Sequence, residues 1–116
     1  MSITDKEGNV LHSNTPHGVK GGTYSSESTE LYLNITFKYR IHFIRGDVFG
    51  SEGIKSLNGL TVEEAQPLLA KAIFALGNDV SVDYWEATEG NARVALLNLL
   101  GLTHLAPSGS IIRVGC

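Results

Sequence analysis

Three cationic or hydrogen-bond-donating side chains, Lys38, Arg40 and His42, alternate with Phe37, Tyr39, Ile41 and Phe43. On an extended strand that alternation puts all three on one side at steps of roughly 6.6–7 Å, a basic stripe able to grip phosphates, a nucleotide or an acidic protein surface. A solvated sheet face carries the same residue types, and that plainer account is favoured. A second group follows, where Asp79, Asp83, Glu86 and Glu89 crowd around Tyr84 and Trp85. Asp83 or Glu86 could serve general acid–base chemistry in a small hydrolase if a cleft shifted one carboxyl pKa. Trp85 could instead anchor a protein contact, since large amphipathic rings are frequent hot spots. The plain alternative, slightly favoured, has Tyr84 or Trp85 filling the core while the acids stay solvated. Asn91, directly after Gly90, is placed to bond backbone groups at a helix start.

Other chemistries lack their residues. The histidines His12, His17, His42 and His104 show no paired-ligand spacing, and the single cysteine is Cys116, so no metal site is expected. No GxSxG elbow is present for a nucleophilic serine. The stretch GDVFGSEGIKS imitates a phosphate loop, but Ile54 separates Gly53 from Lys55 and Ser56, so a glycine-rich turn is expected there. No cofactor is expected.

Elements must hold these residues in place. Leu31, Leu33, Ile35, Phe37, Tyr39, Ile41 and Phe43 occupy every odd position, and this period-two pattern predicts a long strand over 31–45 with one apolar face. Fifteen residues would extend about 50 Å, longer than a small domain is wide, so a bend, bulge or overhang is expected. Thr61 and Glu64 have capping-box spacing, and Ala65, Leu68, Leu69, Ala72, Ile73 and Leu76 trace a helical face, predicting a helix over 62–77. Pro67 inside it implies a kinked first turn or a later start. Val80, Val82 and Tyr84 alternate as a short strand or extended link. Thr88 is the N-cap of a second helix over 89–104, apolar on more than one stripe and therefore buried on several sides or partly covered by another chain. IIRV at 111–114 is a short final strand. Residues 1–30 are loop-rich, with short strands around the turn DKEGN.

The string YWEATEGNARVAL, residues 84–96, resembles the YWxxTxGNxxxAL pattern of small uncharacterised proteins encoded by phages and prophages, in which it leads into the last helix. The resemblance implies a phage or prophage accessory protein, with Tyr84, Trp85, Thr88, Gly90 and Asn91 as family-typical positions. It assigns no catalytic role. The ending SGSIIRVGC departs from the tryptophan-containing ending typical of that pattern.

The 116 residues, 42% hydrophobic and 18% charged, suit one globular domain over 1–116. The expected fold is α+β, an antiparallel sheet built around the 31–45 strand with both helices on one face. No apolar run reaches membrane-spanning length and MSITDKEGNV lacks signal-peptide character, so a soluble, cytoplasmic protein is expected. A net charge of -3 weakens nucleic-acid binding without removing it. The leading expectation is a non-enzymatic module, a homodimer, that binds a host or phage protein through Lys38, Arg40, His42, Tyr84, Trp85, Glu86 or Asn91. The alternatives are a nucleotide or nucleic-acid binder using the basic face, and a small hydrolase using the acids near Trp85.

Overall fold

The computed structural model describes residues 1–13, 20–21, 24–25, 29–33, 35, 39–79 and 87–114. In chain order these form β1 (Ser2–Thr4), β2 (Lys20–Gly21), β3 (Tyr24–Ser25), the single helical turn α1 (Arg40–Phe43), a 3-10 turn (Gly53–Leu57), α2 (Val62–Ala75), α3 (Glu89–Leu105) and β4 (Ile111–Arg113). The class is α+β. β1 pairs antiparallel with β4, with Ile3 opposite Ile112, and β2 pairs antiparallel with β3.

β1 gathers the N-terminal half around it. The turn at Asp5–Asn9 returns the chain so that Thr4 bridges Val10, and Ile3 N–H donates to the Leu31 carbonyl at 2.9 Å. Leu33 N–H reaches Met1, and on the far side of β4 the Ile112 N–H donates to Leu60. Ile3, Leu31, Leu33 and Ile112 are thereby buried against the inner faces of α2 and α3.

The continuous strand over 31–45 does not form. Its alternation holds at Leu31, Tyr32 and Leu33, which read buried, exposed, buried, but by residue 40 the chain is helical. Extended, the segment would outrun the longest dimension of the molecule, 35 Å. Tyr39 and Phe43, both buried, stand four residues apart, a spacing that suits a helical face as well as a strand face. Their rings meet edge-on at 6.2 Å, and Phe43 meets Phe49 edge-on at 5.8 Å. Ile41 decides between the two periods: it is 62% exposed, on the wet side of a helix, where the strand would bury it. The chain then reverses through Gly46–Gly50, and Gly53 (φ 59°) adopts the left-handed backbone that opens the 3-10 turn, so the phosphate-loop imitation is a turn. The two helices therefore do not share one face of a long strand; they pack chiefly on each other.

Helix α2 begins as its capping box dictates. Thr61 Oγ1 accepts from Glu64 N–H at 3.2 Å, and Glu64 Oε1 accepts from Thr61 N–H at 3.1 Å. Pro67 lies inside the continuous helix, its position exposed and the Glu63 carbonyl it leaves without a donor on the outer side. The helix ends at Ala75, two residues short of the expected 77, and α3 runs one residue past 104. Three contacts set α2 and α3 antiparallel. Gln66 Nε2 donates to Thr103 Oγ1 at 3.3 Å, Gly109 N–H donates to Glu63 Oε1 at 2.7 Å, and Gly77 at the end of α2 lies beside Glu89 at the start of α3.

Three carboxylates tie these turns together. The Ser108 hydroxyl and Gly109 N–H hold Glu63 below its ordinary value of 4.5, the Arg45 guanidinium lowers Asp47, and Asn9 and neighbouring backbone donors lower Asp5. A carboxylate whose folded pKa is depressed contributes stability that is present above its unfolded pKa and lost as pH falls through the folded value. Stability measured by urea unfolding is therefore expected to hold from neutrality to about pH 5 and to decline below about pH 4.5, with Glu63→Gln flattening that decline. All three groups are exposed, so solvent screening keeps each contribution small.

Candidate functional site

Two surfaces gather the residues that could act. The first is the start of α3. Thr88 caps the helix, its Oγ1 accepting from Asn91 N–H at 3.0 Å, and Asp79 Oδ1 accepts from Gly90 N–H at 3.0 Å. These bonds satisfy free first-turn donors, and Asp79 and Glu89 complement the positive helix end. Helix α1 closes over the same place: His42 Nε2 donates to the Ala87 carbonyl at 2.8 Å, and Arg45 pairs through Nη1 with Glu89. Arg45 also grips Asp47 through Nε at 3.0 Å and Nη2 at 2.7 Å, and the two carboxylates, Asp47 foremost, hold its guanidinium yet more firmly protonated.

The structure thus separates what the strand would have aligned. Arg40 is exposed, while His42, two residues along a helical turn and so about 200° around it, points to Ala87. The two do not form a stripe, and Lys38 lies outside the described residues. Tyr84, Trp85, Glu86 and Asp83 also lie outside them, as does the short strand expected over 80–84. Asn91 is described and is 6% exposed, a buried first-turn residue. Among the described acids, Glu89 is occupied by Arg45 and Asp79 by a backbone donor. What this arrangement does chemically is clamp α1 to the start of α3. Among the described residues no three histidine, cysteine or acidic side chains converge, and no helix is long and apolar enough to cross a membrane.

The second surface is the outer side of the α2/α3 pair. Val94, Leu97, Gly101 and His104 recur at steps of three, four and three along α3, and all are exposed, with Leu105 beside them. On α2 the row through Gln66, which meets Thr103, continues one and two turns later to Ala70 and Phe74, both exposed; Phe74 is 93% exposed. The breadth of apolar sequence on α3 foreshadowed its uncovered stripe. Phe74 went unmarked because it falls off the stripe that buries α2; a phenylalanine at a polar position of an amphipathic helix was the signal. Leu68, assigned to the buried stripe, is half exposed at the edge of that face. Gly101 is unusual in its own right. It sits mid-helix, where glycine costs about 1 kcal/mol relative to alanine, although among the described residues a Cβ there would meet nothing within 4 Å.

Comparison with protein-family models, with curated proteins and with solved structures finds no match.

Proposed function

We propose that this is a small phage or prophage accessory protein acting in the cytoplasm as a protein-binding module without catalysis of its own, and that it meets its partner, a host or phage protein or another copy, through the outer side of α2 and α3. One observation carries the reading: Phe74, Val94, Leu97 and Leu105 lie uncovered along two adjacent antiparallel helices, each able to bury substantial apolar area against another chain. Scattered apolar side chains are normal on a surface; a continuous stripe at helical spacing is what a helix-packing partner needs. The clamp at the start of α3 supports the same reading, because it fixes the helix that displays the stripe.

A photo-crosslinking residue at position 74, with the cross-linked species identified by mass, tests the proposal. The expected result is a discrete adduct to a protein chain that disappears when Leu97→Asp is added, while thermal unfolding of the variant stays close to that of the parent. An adduct that persists undiminished in Leu97→Asp, or no adduct of any kind in host extract or with the purified protein, overturns it.

A further inference from the structure

Resting on that reading, we infer that the partner covering this surface is a second copy of the same chain, packed so that α3 crosses its counterpart antiparallel about a two-fold axis level with Leu99. Leu97 and Gly101 are one turn apart on the exposed stripe, on either side of that level. A two-fold axis there sets Leu97 of each copy at the level of Gly101 of the other. A large side chain meets the one position on the stripe that has no Cβ, twice over. Among the described residues nothing lies within 4 Å of a Cβ placed at Gly101, so the helix backbone there is open to close approach by another chain. The same operation stacks α2 on its counterpart and brings the fully exposed Phe74 to the first turns of the partner's α2, near the exposed Pro67.

Charge follows the same symmetry. Because α2 and α3 run antiparallel, Glu63 lies at one end of the face, beside the end of α3, and Arg93 at the other, one turn into α3. Arg93 has no ion pair within the described residues. The two-fold axis that seats Leu97 on Gly101 also sets Arg93 of each copy at the level of Glu63 of the other. A parallel arrangement would instead set Glu63 level with Glu63 and Arg93 level with Arg93. The face is roughly 25 Å long and two helices wide, on the order of 500 Å² per copy, which places the dimer at the small end of specific interfaces.

The test is sedimentation equilibrium of the full chain from about 1 to 200 µM, a range that detects micromolar and tighter dissociation constants. The expected result is a monomer–dimer equilibrium weakened at least about tenfold by Leu97→Glu and by Gly101→Leu. Gly101→Ala is expected to raise the thermal midpoint of the dilute monomer, because alanine favours the helix, yet to weaken the dimer, because it fills the seat of Leu97. Glu63→Arg and Arg93→Glu should each lose the homodimer, whereas an equimolar mixture of the two should recover a heterodimer, as should the doubly exchanged chain with itself. Recovery on mixing also shows that neither variant failed by unfolding. A protein that stays monomeric to 200 µM, a dimer indifferent to residues 97 and 101, or charge variants that mixing does not rescue overturns the inference. A monomer that still cross-links a different protein through position 74 overturns the dimer alone and leaves the binding module standing; a monomer that cross-links nothing removes both.

Discussion

Tyr39→Ala is expected to lower the unfolding free energy by about 3–5 kcal/mol, while Ile41→Ala, two residues on, should change it by less than about 0.5 kcal/mol. Both residues belong to the odd-numbered apolar set, and a strand over 31–45 would bury them side by side. A helical turn at 40–43 separates them. Tyr39 has no solvent-accessible area and its ring meets Phe43 edge-on, so truncation leaves a cavity that neighbours on α1 and the following turn cannot fill. Ile41 faces water and loses little when shortened. Paired urea denaturations give the answer directly. Equal costs at the two positions would mean that the segment runs extended and that the clamp of α1 on α3 is not the native arrangement.

That contrast also marks where the sequence could be read and where it could not. Both long helices were legible because two independent signals agreed at each: a side-chain cap at Thr61 or Thr88, and apolar residues recurring on a helical face. The hairpin at DKEGN was legible from its turn chemistry, and the final strand, expected over 111–114, is found at Ile111–Arg113. The 31–45 segment misled because positions four apart satisfy a period of two and, nearly, one of 3.6, so Tyr39 and Phe43 voted for either. Only length argued otherwise, and the molecule resolves the excess by changing period. The candidate site was half legible. The breadth of apolar residues on α3 announced a surface in need of cover, but the bonds His42–Ala87 and Arg45–Glu89 join residues more than forty positions apart. No local pattern encodes such a pairing. It arises because the turn after α1 and the cap of α3 are brought to the same end of the core.

Leu99→Ala is expected to cost about 2–5 kcal/mol at any protein concentration, whereas Leu97→Ala should be close to neutral in dilute solution. The two leucines are two residues apart on one helix and identical in chemistry, so only their direction differs. Leu99 is wholly buried in the hydrophobic core, and its removal forfeits both transfer free energy and packing contacts. Leu97 is 40% exposed and retains neighbours on one side only. Its contribution should appear when a second chain supplies the missing side, since anything that binds only the folded state adds stability in proportion to the logarithm of its concentration. The thermal midpoint of the parent protein should therefore climb with concentration across the micromolar range, that of Leu99→Ala should climb in parallel from a lower start, and that of Leu97→Ala should climb more shallowly. A slope that Leu97→Ala leaves unchanged would place the contact elsewhere, and a large cost for that variant in dilute solution would mean that Leu97 is already covered by its own chain.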